Sequence, residues 1–447
     1  MSNQKRELWQ EGTTDAPLPP SVSEHDQKTT SARFYVEQYQ KLGPIFRLPR
    51  PEKPPLTILA GPEANIFIAR YEDKFFTTQE HWQELYDKFG ALKMVRKRDG
   101  NDNRAYRAKS SRYYSRAHAF DHLPDMVEIT RERIQWNVGE NVLALPHMQR
   151  IVAAQLGEVL VSYKPDDYVA DMIIYLQTIR SKARQPGTVD LMAPENQHVT
   201  KRMRELSQLL IDMHQKTPSP SGKPDLVDEM LADAEKYPDV FNKNLWSSIV
   251  LTPFMAGMSA ANASCLILYA LLKHQSVYER VLVEVDNIFS QGPLTREKLN
   301  AMPTLHSAVT ETLRLYPVSS GHMTRVAKPV TFAGYCLNPG DEVWVAMTVS
   351  HFLPELFPEP ESFDIQRFAR NEYRQQGAYA PFGLGDHTCL GSGIAEVQLV
   401  IIIATILHTY QLDLESPDYS LDTSPLTALK DDFYIKVVAR RQHTHKG

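Results

Sequence analysis

The sequence predicts a mainly α-helical domain with small β-sheets (α+β). Helical periodicity runs almost unbroken from Met126 to Ile288: MVEITRERIQ, YVADMIIYLQTIR, HVTKRMRELSQLLIDMH and PDLVDEMLADAEKY each repeat apolar residues three and four apart. Strand signals are sparse and gather towards the two ends, as IFRLP and LTILAG early and VTFAGYCL, DEVWVAM and FYIKVVAR late. The strand–helix alternation of a parallel-sheet protein is missing.

Taken in order, residues 1–30 are polar, with acids and prolines and no apolar core, and read as a flexible N-terminal arm without a signal peptide or membrane anchor. Residues 31–447 read as a single domain, because no linker divides them. KTPSPSGKPD, from Lys216 to Asp225, is an exposed loop by its Pro, Ser and Gly content. Leu245 to Leu272 is long enough to span a bilayer. Ser259, Asn262 and Ser264 lie in its middle, Pro253 and Gly257 interrupt it, and no aromatic belt or basic flank marks an interface. It is expected to be the central helix of a large core. MPTLHSAVTETLRLYP is a helix ended by Pro317, and PFGLGDHTCLGSG then leads a cysteine into an alanine- and isoleucine-rich helix.

Composition narrows the function. The chain has 447 residues, 42% of them apolar, and a net charge of -5, which gives no reason to expect a nucleic-acid binder. Its three cysteines, Cys265, Cys336 and Cys389, cannot form a fully paired disulfide framework and show no zinc-type spacing. A reducing, cytoplasmic location is expected.

The chemistry gathers late in the chain. Glu311 and Arg314 of ETLR are three apart on one helix face, among the apolar residues Leu305, Val309, Leu313 and Leu315. Arg367 follows in the proline-rich, aromatic stretch FPEPESFDIQRF. A glutamate held between two arginines would lock that stretch to the helix by charge-assisted hydrogen bonds.

ETLR, PESFDIQRF and FGLGDHTCLG, in that order, resemble the signature set of the cytochromes P450. The pattern Phe-x-x-Gly-x-x-x-Cys-x-Gly is met by Phe382, Gly385, Cys389 and Gly391. The resemblance runs from about Gly43 to about Arg440. It implies the P450 fold, with haem b held between the long central helix and the loop carrying the axial ligand, Cys389. A thiolate ligand pushes electron density towards bound oxygen, and glycines at 383, 385 and 391 permit unusual dihedrals and close backbone approach. By the same resemblance Asn103, Arg107, Arg325 and His387 would receive the haem propionates, with Asn103 standing where the family usually carries Trp or His. Phe382, Gly383 and Gly391 would shape the cysteine loop.

Arg96, Lys97, Arg98, Arg104, Arg107, Lys109, Arg112 and Arg116 make the region around the family's C helix basic. That face is where a ferredoxin- or flavodoxin-type electron donor would dock. Substrate contacts would fall at Glu80 to Val95, at Met255 to Ala260, at Val318 to Met323 (Val318 and His322 included) and at Leu426 to Ala428. Such surroundings suit a hydrophobic small molecule.

The central helix departs from the family. MAGMSAANAS keeps the small residues Ala256 and Gly257, which would make room for oxygen, but puts Ser259 and Ala260 where the acid and the threonine usually stand. Ser259 and Asn262, three apart, would hold a water in their place. The expected activity is a monooxygenase fed by a separate redox protein. Without the acid–alcohol pair, an isomerase or peroxygenase acting on peroxides is the alternative, and a haem-binding sensor or carrier is a third reading.

Overall fold

The structure is a computed structural model that describes residues 8–12, 15–23, 32–51, 53–78, 99–184, 193–241, 243–416, 419, 421–422, 428–429, 433 and 434–441. Six helices position the site: α1 (Gly61–Phe75), α2 (Gly100–Ser110), α3 (Ala144–Val161), α4 (Lys243–Lys273), α5 (Pro303–Leu315) and α6 (Ser392–Thr409). The central helix α4 is 31 residues long and runs through the main apolar core, where Ile249, Phe254, Leu266 and Ile267 are fully buried. Helices α4 and α6 are long and apolar enough to cross a membrane, yet most of each apolar stretch is buried inside the protein. A helix apolar on all sides fits the centre of a large fold equally well.

Gly257 explains how closely α3 and α4 approach. It is buried, and a Cβ there would drive into Leu156 and crowd Val152, both on α3. Its missing side chain serves the packing of these two helices.

Thirteen short strands are described. The largest sheet has the order β2-β3-β9-β6-β4, from Ile45–Arg50 (β2), Lys53–Ala60 (β3), Glu342–Ala346 (β9), His322–Val326 (β6) and Phe76–Thr77 (β4). Its β3–β9 pair is parallel, with Thr57 opposite Val343, and the others are antiparallel. Its inward residues make a second apolar cluster with α1, including Ile45, Phe67, Phe75 and Val345. Asn65 fixes α1 from below, donating through Nδ2 to the Met347 carbonyl (2.8 Å), Ser350 Oγ (3.0 Å) and the Gly377 carbonyl (2.8 Å).

The N-terminal stretch differs from the arm that its polarity suggests. Trp9–Glu11 (β1) pairs antiparallel with Val330–Phe332 (β7), and Ser21 bridges to Arg47. Trp9 packs at a tilt against Tyr71 and Phe75, so one aromatic side chain anchors an otherwise polar segment.

Candidate active site

Cys389 precedes the first turn of α6, in a loop where Gly383 and Gly385 have φ of +81° and +72°. Its amide donates to the Phe382 carbonyl at 2.7 Å, and the Ile394 amide ties the start of α6 to the Tyr114 carbonyl at 3.0 Å. A Cβ at Gly391, the residue just before α6, would lie 3.9 Å from the Cys389 sulfur, which therefore sits beside the N-terminus of that helix. Cys389 is half-buried, whereas Cys265 and Cys336 are buried, and burial pushes the Cys265 thiol well above its ordinary value. Phe382 packs half-buried against the main core. Gly391 has φ of -86°, and a Cβ there would meet protein atoms only at ordinary contact distance.

Two helices clamp this loop from outside. From α2, Asn103 Nδ2 donates to the Asp386 carbonyl (2.9 Å) and Arg107 Nη2 to the Thr388 carbonyl (2.6 Å), directly before the cysteine. Each side chain thus holds a loop carbonyl, and the Arg107 guanidinium keeps further N–H donors beyond this one bond. From α1, Glu72 reaches the loop while 3% exposed. It accepts from His322 Nε2 (3.0 Å) and from the His387 amide (3.3 Å), and its Oε1 lies 3.3 Å from His387 Nδ1. Across the ring, His387 Nε2 lies 3.1 Å from Thr78 Oγ1 and 3.2 Å from Asp99 Oδ1. Asp99 also accepts from the Thr78 amide (2.9 Å).

The charges follow from these contacts. Burial opposes ionisation of Glu72, but the two imidazoles outweigh it and hold the carboxyl at about 2. Burial likewise opposes a cationic His387, and its bonds to Asp99 and Glu72 carry it up to about 10. His322, expected among the substrate contacts, has its Nε2 occupied by Glu72. Arg325 is half-exposed on β6, 3.5 Å from Glu342. Neither Glu72 nor Asp99 was singled out by the sequence reading. One signal was present: Glu72 is seven residues after Asn65 and four after Ile68, an acid on the buried stripe of α1.

The opposite wall comes from α4. In a helix mostly enclosed, Thr252, Ala256, Ser259 and Ala260 are half-buried on one face, and Asn262 is half-buried beside it. Met255 is buried in the main core and Val318 packs half-buried against it. Leu426, the loop from Glu80 to Val95, and Arg96, Lys97 and Arg98 lie outside the described residues.

Glu311, Arg314 and Arg367 are brought together and sealed. Glu311 accepts from Arg314 Nε (2.8 Å) and Nη2 (2.9 Å), from Arg367 Nε (3.1 Å) and from the Asp364 amide (2.9 Å). Arg367 continues to the Pro358 carbonyl (2.5 Å) and Arg314 to the His351 carbonyl (2.8 Å). The proline-rich segment is thereby held against α5.

The cations of α2 and the turn after it are engaged. Arg104 bridges Asp73 (2.6 Å) and Asp386 (3.3 Å), and Lys109 binds Asp233 (3.0 Å). Arg112 binds Glu229, and Arg116 binds Glu396.

These residues fit an iron porphyrin held through Cys389. Half-buried Cys389 stands beside a helix N-terminus, one face of α4 carries small, half-buried side chains, and Arg325 offers a half-exposed cation. When bound, such a group supplies oxygen activation through its thiolate-ligated iron.

The comparisons agree with this geometry. A family model described as Cytochrome P450 matches residues 17–436. Cytochrome P450 2B3 of Rattus norvegicus is 28% identical over 243 residues, 52% of this chain and 49% of that protein. Cyclooctat-9-en-7-ol 5-monooxygenase of Streptomyces melanosporofaciens is 27% identical over 353 residues, 73% of this chain and 76% of its own length. The match thus spans about half of the first relative and about three quarters of the second. A retinoic acid bound cyanobacterial CYP120A1 structure superposes with a TM-score of 0.79 at 23% identity, covering 94% of this chain and 99% of that one. At that identity the likeness speaks for the fold alone.

Proposed function

The chain belongs to the cytochrome P450 family, and on that premise we propose that it is a haem-thiolate monooxygenase acting on a hydrophobic small molecule with O2. Electrons would come from a separate ferredoxin- or flavodoxin-type protein. Half-buried Cys389, at the head of α6 in a loop clamped by α1 and α2, is the observation that carries this reading. Resemblance to a monooxygenase over 73% of the chain supports the reaction type. The three free cysteines suit a reducing compartment, in keeping with a cytoplasmic enzyme.

The chain's own residues divide the work. Cys389 supplies the axial sulfur, while Asn103 and Arg107 fix the carbonyls beside it. Arg325 balances negative charge on the cofactor's edge. Ala256 and Ala260 keep the central helix low, and the apolar wall excludes water from a hydrophobic substrate. Among the described residues neither Ser259 nor Asn262 has a side-chain hydrogen bond to another residue. In this reading Ser259 Oγ and the Asn262 amide, three residues apart, hold a water and pass protons at the Ser259 hydroxyl, in place of the acid–alcohol pair.

The test is spectral and then catalytic. The carbon monoxide complex of the reduced protein should carry the strongly red-shifted Soret band of a thiolate-ligated haem, and Cys389→Ala should abolish it. Survival of that band in the variant would assign the iron another ligand. Turnover with NAD(P)H and a ferredoxin system supports the monooxygenase, whereas turnover with peroxide alone replaces it by peroxide chemistry. Ser259→Ala should uncouple oxygen consumption from product, and full, well-coupled turnover removes Ser259 from proton delivery.

A further inference from the structure

Glu72 bridges two parts of the fold that are far apart in sequence. His322 is 250 residues away on β6, and His387 is 315 residues away in the cysteine loop. The carboxylate takes an imidazole N–H from the first and a backbone N–H from the second, and its Oε1 lies 3.3 Å from the His387 ring. A carboxylate only accepts hydrogen bonds, so it can serve all of these donors together. An amide in its place would turn an NH2 group towards one of them.

The backbone is shaped to the same contact. Gly385 sits against α1 so closely that a Cβ there would lie 2.5 Å from Glu72 Oε2 and 3.0 Å from the Ile68 carbonyl. The helix that carries Glu72 is itself held by the three hydrogen bonds of Asn65, one face of α1 below. A buried anion persists only when it is fully partnered, and here its partners are the two walls of the cofactor site.

We propose that Glu72 is a positioning residue for the cofactor: it sets the cysteine loop, through His387, in register with β6, through His322, and so governs how firmly the porphyrin is retained. This rests on the haem reading above. Glu72 does not touch the iron or the substrate. It acts as the outer carboxylate that orients groups nearer the cofactor, a position whose loss typically costs about 10–100-fold in affinity at metal centres.

The experiment follows haem transfer from the full-length holoprotein to an excess of haem-scavenging globin, for the native protein, Glu72→Gln, His387→Gln and the double variant. The expected result is loss about 10-fold faster or more in Glu72→Gln, with the double variant no faster than the faster single one, because both act through one contact. The ferric–ferrous potential should rise in Glu72→Gln, since an anion has left the surroundings of the iron. A purely structural role would leave that potential unmoved. Transfer and potential like those of the native protein overturn the proposal, as does an additive double variant. If Glu72→Gln does not fold, His322→Gln, His387→Gln and their combination decide it: faster transfer in both singles that fails to add supports the proposal, and unchanged or additive transfer overturns it. A native protein lacking the red-shifted carbon monoxide band refutes the haem reading itself, and this proposal with it.

Discussion

Replacing Glu311 should be the most damaging single change outside the cysteine loop. Its carboxylate and the guanidinium groups of Arg314 and Arg367 are 0%, 0% and 1% exposed. Four hydrogen bonds converge on that one carboxylate, three from the arginines and one from the Asp364 amide. Glu311→Ala leaves two buried cations facing each other without their shared anion. Breaking a buried pair by removing one partner costs about 3–5 kcal/mol, against a total stability of about 5–15 kcal/mol. Glu311→Gln keeps the shape but turns an amide NH2 towards a guanidinium, so it should cost nearly as much. The control is Arg33–Glu361, equally short at 2.9 Å but 75% and 53% exposed, where Arg33→Ala should cost about 0–1 kcal/mol. Urea unfolding followed by far-ultraviolet circular dichroism measures all three, and limited proteolysis should find the segment from Pro358 to Arg370 opened in the Glu311 variants. Arg367 keeps Glu372 at 3.0 Å, so the cost falls mainly on Arg314, and Glu311 variants within about 1 kcal/mol of the native protein would refute the reasoning.

Two further outcomes are expected. Buried His351 accepts the Ala380 amide at Nε2 (2.9 Å) and lies 3.2 Å from the Arg314 carbonyl at Nδ1; burial first, then the Arg314 charge, pushes it down to about 3. Its neutral form contributes stability that is complete above the ordinary histidine value of about 6.5 and drains away as the pH falls from there towards 3, because the unfolded chain takes up the proton first. Unfolding free energies at pH 7.5 and pH 5 should therefore differ less in His351→Gln than in the native protein, and equal differences would refute this. Gly257→Ala should destabilise by about 1–3 kcal/mol by overpacking α3 against α4 while leaving the carbon monoxide spectrum unchanged; a shifted spectrum with native stability would return Gly257 to the oxygen site.

What could be read from sequence was what is local in sequence. ETLR, the proline-rich segment and the cysteine loop each declare themselves by short spacing, and the helices from Met126 to Ile288 by their apolar repeat. Gly257 was visible as a small residue, but a glycine that lets helices touch and one that clears a pocket look alike until the neighbouring Leu156 is in place. Glu72 was hidden because its meaning lies in partners hundreds of residues away. Asn103 and His387 were visible as polar groups near the cofactor, whereas their attachments to Asp386, Glu72 and Asp99 come only with the close approach of α1 and α2 to the loop. Trp9–Glu11 escaped because three residues are too few to show alternation.

The matched cations beside the cysteine loop have a consequence for how an electron donor arrives. Arg104, Lys109, Arg112 and Arg116 each sit against a carboxylate of the same molecule, so at a distance each pair presents a dipole, whose field fades faster than that of a lone charge. Among the described residues, these four pairs accordingly add little long-range attraction, and salt has little in them to screen. An acidic donor settling here would be gripped only at close quarters, by coaxing arginines away from their present companions. At these four positions recognition would then be decided by the exchange of ion-pair partners at contact rather than by capture from afar.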